Sequence, residues 1–372
     1  MNEAEFIDAL HARMPRVPVT LTIILLCVLV YLVEAIAGHS LWTIPSNVLL
    51  SLGANFAPAV QSGEAWRLVA SMFLHGSPLH IGLNMWALWQ IGQLAERLYG
   101  RLGFVLIYLG AGLMGSLASD WWKAGTVSVG ASGAIFGAGG ALLAYVIVQR
   151  GAMPLTILRE LRSGVLAFIG YSLIAGFVIP GIDNGAHIGG LLGGTLLGAG
   201  LARPVHEPLR AMWRHAQAWL AILFSVAVGA ALWHTAPQVA KTYQQHIGFE
   251  QVAHDFGLRE LGLEQQLQTI MAALKARQLS PHEAANQLND ELAVSWEKQV
   301  ERLATEDVPL ADVSRRQMLV EYAVLRRDAI RLLARGIETG QQQWLAAAES
   351  MRLKGDNLLL QSRLQDLTQK HP

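Results

Sequence analysis

Seven stretches of this chain, at about 18–38, 78–95, 102–119, 132–149, 163–180, 186–202 and 216–235, are each long and apolar enough to cross a bilayer. A helical crossing takes about 20 predominantly apolar residues, and about 17 are tolerated. In hydrocarbon the backbone must satisfy its own hydrogen bonds, so such stretches fold as helices. Several are rich in Gly and Ala, which favours close helix approach in lipid.

Composition agrees: 52% of the 372 residues are hydrophobic and 15% charged, a balance foreign to soluble domains of this size. The charge is uneven. Residues 1–235 hold 12 Lys+Arg and 10 Asp+Glu, whereas the 137 residues after them hold 16 and 18. The expected fold is therefore all-α: a polytopic membrane helix bundle followed by a C-terminal helical domain. The divisions are an N-terminal tail (1–17), a membrane core (18–202), a loop with the seventh span (203–235) and a helical tail (236–372).

The tail reads as helices. Ser280-Pro281-His282-Glu283 is a capping box with Pro at the first helical position, and Met318, Tyr322, Leu325, Ala329 and Leu332 keep a 4-3-4-3 spacing. A net charge of zero, with no basic run interleaved with aromatics, gives nothing in favour of nucleic acid, and no nucleic-acid partner is expected. The single cysteine, Cys27, lies in an apolar run, so an intramolecular disulfide is excluded and the thiol reads as a small hydrophobe.

Basic residues alternate between the loops. Arg13, Arg16, Arg97, Arg101, Arg150, Arg159, Arg162, Arg203, Arg210 and Arg214 mark one side, against Arg67 and Lys123 on the other. The positive-inside rule then sets the N-terminus in the cytoplasm and, after seven spans, the C-terminal domain outside. That arrangement suits a bacterial plasma membrane. Ala35-Ile36-Ala37 resembles a signal-peptidase site, but the run before it is longer than a signal h-region and is read as a retained span.

Polar groups inside spans are expensive and tend to be functional. His80 and Asn84 open the second span, Ser132 the fourth and His187 the sixth. All three spans run from outside to inside, so these residues share one layer near the outer face. His80 and Asn84, four apart, share a helix face. Gly133 with Gly137, and Gly190 with Gly194, form two small-xxx-small faces on which the fourth and sixth spans would pack, bringing Ser132 to His187. A serine hydroxyl attacks only if a base takes its proton, and His187 fits that role. His80, Asn84 and the backbone N–H of Ser132 are available as oxyanion donors.

Gly130-Ala131-Ser132-Gly133, His80-x-x-x-Asn84, Ala186-His187-x-x-Gly190-x-x-x-Gly194 and the pair Trp66-Arg67 together resemble the rhomboid family of intramembrane serine proteases, over roughly residues 18–202. The resemblance implies a six-helix core, here with a seventh span and an exported domain beyond it. It implies a catalytic dyad of Ser132 and His187, an oxyanion hole drawing on His80 and Asn84, and no metal or organic cofactor. The implied substrates are transmembrane proteins cut within or beside their membrane-spanning segments, admitted past the fifth span and the loop after it. Many members carry Tyr four residues after the nucleophile, packed on the histidine; here Phe136 keeps the ring and lacks the hydroxyl of that S1-region residue.

Other residues read as structural. His75 is expected to be a satisfied structural histidine, and Trp66 and Arg67 to shape the long outer loop, 39–77. Asp183 is expected to be a solvated loop acid and not a third catalytic member. Glu34 and Asp120 read as boundary residues reaching the interface, and Trp219 and Trp233 as belt anchors. No His-Glu-x-x-His motif is present for a zinc protease, and no aspartate pair lies deep in two spans for an aspartyl one. A transporter would need midplane acids, which the spans lack; a non-catalytic binder of membrane helices would be expected to lack the nucleophile or base. The C-terminal domain is open to a protein partner, a substrate or a second copy of the chain.

Overall fold

Each apolar stretch is helical, and the helix boundaries follow local chemistry. The computed structural model describes residues 2–369, so the last three residues of the 236–372 tail lie outside the described residues. Two units divide the chain, Met1–Ala240 and Lys241–Pro372. Among the described residues both are helical, with one isolated bridge between Asn55 and Ser128. The chain is an all-α, multi-pass membrane protein.

In the first unit, α1 (Glu3–Arg13) carries an N-terminal capping box from Asn2 and Glu5 and leads into α2 (Pro18–Ala37), whose Pro18 occupies the first helical turn. Three short helices, α3 (Ser46–Leu52), α4 (Ala57–Gln61) and α5 (Arg67–Ala70), occupy the outer loop. The stretches expected at 78–95 and 102–119 are continuous as α6 (Pro78–Trp122), whose two limbs meet at Gly100. There φ is +72°, and a Cβ would lie 2.8 Å from Leu209, so only glycine serves.

After α6 come α7 (Ser132–Val148), α8 (Leu155–Val178), α9 (Asn184–Leu201) and α10 (Ala216–Thr235). Helix α8 starts after Pro154, earlier than the expected 163, so Arg159 and Arg162 are helical residues and not loop residues.

By length and composition α2, α6, α8 and α10 suffice to cross a membrane. Helix α7 is apolar but only 17 residues long, and α9 is rich in glycine. The difference follows from position. Residues Gly133 to Leu142 of α7 are buried without a break, so the inner helices are selected for small side chains and not for contact with lipid. Helix α8 instead exposes Tyr171, Ile174, Phe177 and Val178, and α10 exposes Leu220, Leu223, Phe224 and Val226. Apolar faces of that extent belong against lipid.

Backbone contact between α7 and α9 fixes the centre. A Cβ on Gly190 would lie 2.0 Å from the Gly133 carbonyl oxygen, and one on Gly194 would lie 1.9 Å from that of Gly137. The spacing of four puts both pairs on facing stripes. Around this crossing, the Tyr99 hydroxyl donates to the Ala141 carbonyl at 2.7 Å and that of Tyr145 to the Arg203 carbonyl at 2.8 Å.

Two acids depart from the boundary role expected for them. Glu34 is 0% exposed and accepts the backbone N–H of His75 at 3.0 Å; Asp120 is 6% exposed and accepts from the Asn55 amide at 2.9 Å. Each lies near the end of its span, but another segment closes over it with a donor. A third acid, Glu96, is also 0% exposed and accepts from the N–H groups of Val19 and Thr20 and from the Thr20 hydroxyl, capping α2 from a different helix.

In the second unit α11 (Ala240–Lys275) is followed by α12 (Pro281–Asn286), a π-turn at Gln287–Ala293 and α13 (Val294–Thr305). The unit closes with α14 (Val313–Thr339) and α15 (Gln342–Gln369). The Ser280–Glu283 capping box is formed in both directions. Phe256, Trp296 and Tyr322 meet pairwise at ring-centroid distances of 6.1 to 6.2 Å. On α14, Leu319, Tyr322, Ala323, Ile330 and Ala334 are buried, whereas Met318, Leu325 and Leu332 of the expected stripe are half-buried. Helix α14 contacts both α13 and α15, so its buried arc is wider than a single 4-3-4-3 line.

Candidate active site

Ser132 is the first residue of α7 and His187 lies one turn into α9, so the glycine crossing between these helices sets their separation. Nε2 of His187 is 2.9 Å from Oγ of Ser132. For the hydroxyl to donate, Nε2 must carry the lone pair and Nδ1 the proton. His187 is 6% exposed, and among the described residues its Nδ1 meets no hydrogen-bond partner.

Phe136, one turn after Ser132, stacks on the imidazole with ring centroids 4.2 Å apart and planes within 10°. Its other neighbour is Phe168 of α8, at 5.3 Å. Phe168 was not singled out from the sequence; the structure places it on the buried side of α8, beside Val165 and Ile169.

The segment before Ser132 is held from three directions. The Gly130 N–H donates to the Ser71 carbonyl at 2.9 Å, and Asn55 and Ser128 exchange two backbone hydrogen bonds at 2.9 Å each. Gly130 has φ +129°, and a Cβ there would lie 2.7 Å from Nε2 of His80 and 3.6 Å from Nδ2 of Asn84. His80 and Asn84 thus face the backbone two residues before the serine, from the first turns of α6. Ser77 starts that helix as its cap, accepting the N–H of His80 at 3.3 Å. The first N–H groups of α7 have no acceptor within their own helix, so this corner gathers backbone and side-chain donors beside Ser132.

The remaining residues lie around this centre. His75 is 0% exposed, and its ring meets that of His80 edge-on at 5.1 Å. Its backbone is anchored by Glu34, and its ring lies beside the backbone of Phe73. Arg67 ties the outer loop together, donating to the carbonyls of Leu50 at 2.5 Å and Ala54 at 3.2 Å while pairing with Glu64 at 2.7 Å. Trp66 lies against Gly53, where a Cβ would come within 2.3 Å of the indole, and Arg67 is 5.0 Å from its ring centroid. These two residues support the loop and do not touch the dyad.

Asp183 is not a solvated loop acid. It caps α9, accepting the N–H of Ala186 at 3.0 Å, and accepts the hydroxyls of Ser119 and Ser128.

Comparison with known proteins bears on the family. A family model described as the Rhomboid domain matches residues 62–204. The chain is 40% identical over 185 residues to rhomboid protease GluP of Bacillus subtilis (strain 168), covering 50% of this chain and 35% of that protein. It is 33% identical over 202 residues to rhomboid protease AarA of Providencia stuartii, covering 49% of this chain and 71% of that one. Over 202 residues it is 30% identical to rhomboid-like protease 1 of Toxoplasma gondii, covering 52% and 67%. The chain therefore spans about a third of the length of the Bacillus relative and about two thirds or more of the other two.

Proposed function

The chain belongs to the rhomboid family, and on that premise we propose that it is an intramembrane serine endopeptidase in which Ser132 is the nucleophile and His187 its base. The observation that carries this reading is the 2.9 Å contact between Nε2 and Oγ, made by residues 55 apart in sequence on two helices in backbone contact. A half-buried hydroxyl against a buried imidazole on apolar helices, with no partner at Nδ1 among the described residues, makes a dyad.

The chemistry follows from the donors at hand. His187 takes the Ser132 proton as Oγ attacks a peptide carbonyl, whose oxygen becomes an oxyanion. The N–H of Ser132, Nε2 of His80 and Nδ2 of Asn84 stabilise that charge, each such donor being worth about 10²–10³ in turnover. Protonated His187 then gives its proton to the departing amine, leaving an acyl-enzyme. Water, deprotonated by His187, hydrolyses the ester and restores Ser132. The stacked Phe136 ring holds the imidazole plane and forms part of the S1 wall without offering a hydroxyl. No metal or organic cofactor is required.

The substrates are transmembrane proteins, which the lipid-exposed helices would meet within the bilayer, cut near the end of the bundle where Ser132 lies. The ten-to-two distribution of basic residues supports a cytoplasmic N-terminus, an extracytoplasmic domain from about residue 236, and residence in a bacterial plasma membrane. That domain is the part suited to a protein partner or to self-association. The test is reconstitution with a panel of transmembrane substrates beside Ser132→Ala and His187→Ala. Cleavage by the native chain and by neither variant is expected; cleavage that persists in both would sink the assignment.

A further inference from the structure

We propose that Asp183 is a positioning residue that clamps both halves of the dyad, an inference that rests on the Ser132–His187 reading. Its carboxylate touches three segments. Oδ1 accepts the N–H of Ala186, in the turn of α9 that carries His187, at 3.0 Å. Oδ2 accepts the hydroxyl of Ser128, in the strap leading to Ser132, at 2.6 Å, and also the hydroxyl of Ser119, near the end of α6. Asp183 precedes His187 by four residues, and Ser128 precedes Ser132 by four. One carboxylate is thereby bonded just upstream of the base and just upstream of the nucleophile.

The strap has a second anchor. Ser128 exchanges two backbone hydrogen bonds with Asn55, and the Asn55 amide donates to Asp120 and to the Ser116 carbonyl, both on α6. Ser119 is buried while Asp183 and Ser128 are half-buried, and the charge-assisted hydrogen bonds between them are stronger than neutral ones. Three donors account for both carboxylate oxygens, and among the described residues Nδ1 of His187 has no partner. The carboxylate therefore holds the backbone of α9 and Ser128 and makes no hydrogen bond to the imidazole, which separates this role from that of a triad aspartate.

The glycine crossing sets how closely α7 and α9 approach; the clamp sets how their starting turns are aligned. Misplacing a reacting pair by about 1 Å lowers turnover on the order of 100-fold. In Asp183→Ala the helix start and the strap lose their common acceptor. Asparagine caps helices as well as aspartate does, and its amide can still hydrogen-bond the two hydroxyls.

The test uses the full chain, reading the rate constant for labelling of Ser132 by a fluorophosphonate together with kcat and KM on a transmembrane substrate. Asp183→Ala is expected to lower the labelling rate and kcat together by about 10–100-fold at constant KM. Asp183→Asn should stay within about threefold of the native protein, since the cap is kept. Ser128→Ala should lower kcat alone and add nothing when combined with Asp183→Ala, because the two share one interaction.

A native labelling rate constant in Asp183→Ala, or a smaller labelled fraction at an unchanged rate constant, overturns the clamp; the second outcome would make Asp183 a folding residue only. A loss of about 10⁴-fold in Asp183→Asn would make it a triad member instead. If the native chain itself is not labelled at Ser132, the protease reading fails and the clamp with it.

Discussion

Replacing Gly190 by alanine adds one methyl group at a crossing with no room for it. The new Cβ would lie 2.0 Å from the Gly133 carbonyl oxygen and 2.7 Å from its carbon. Both atoms belong to backbone, so no side chain can swing aside. The helices have to separate by about 1 Å or more before the contact becomes tolerable. Gly133 adjoins Ser132, and Gly190 lies one turn after His187, so the separation is delivered directly to the 2.9 Å contact between nucleophile and base. At a separation near 4 Å that hydrogen bond is gone.

A misplacement of about 1 Å corresponds to roughly 100-fold in turnover, or about 2.7 kcal/mol in the barrier. The overpacking itself destabilises the fold by about 1–3 kcal/mol. The assay is turnover of a transmembrane substrate and fluorophosphonate labelling in liposomes, with thermal unfolding recorded on the same preparations. Gly170→Ala is the control: it lies on α8 with nothing within 4 Å of its added Cβ, and helix propensity predicts it to be neutral or stabilising by about 0.5–1 kcal/mol. Native turnover in Gly190→Ala would refute the claim that the glycine crossing sets the catalytic distance.

Other perturbations test separate links. Asn84→Ala is expected to lower kcat by about 10²–10³ with KM little changed, and a rise in KM at constant kcat would assign it to substrate binding. Phe136→Ala removes the ring stacked on His187 and should reduce kcat, whereas Phe136→Tyr should keep kcat and change the preferred residue at the cleavage site in a substrate-library profile. Glu96→Ala strips the acceptor from two backbone N–H groups and one hydroxyl; a loss on the order of 3 kcal/mol is expected in unfolding measurements, and an unchanged midpoint would contradict the capping role.

Much of the membrane bundle is legible in the sequence because lipid imposes its own length and polarity on each span. The spacing Gly133, Gly137 against Gly190, Gly194 is informative for a related reason: two residues four apart share a face, and glycines on a face leave only the backbone to meet. The buried acids are not legible in this way. Glu34 and Asp120 look like interface residues because their positions near span ends are visible, while the donors that close over them come from distant segments. Asp183 is the same case, since a loop acid becomes a clamp only once Ser119 and Ser128 arrive beside it. Phe168 is hidden among the apolar residues of α8, where nothing local separates a ring against Phe136 from one against lipid. The half-buried edge of α14 shows the limit of periodicity, which gives a face but not the number of neighbours on it.

The central claim, that Ser132 is a nucleophile activated by His187, is tested most directly by mapping fluorophosphonate attachment by mass spectrometry in the native chain and in His187→Ala. A single adduct on Ser132, lost in His187→Ala while the variant keeps its unfolding midpoint, is the predicted result. An adduct on a different serine, or undiminished labelling of Ser132 without His187, would contradict it.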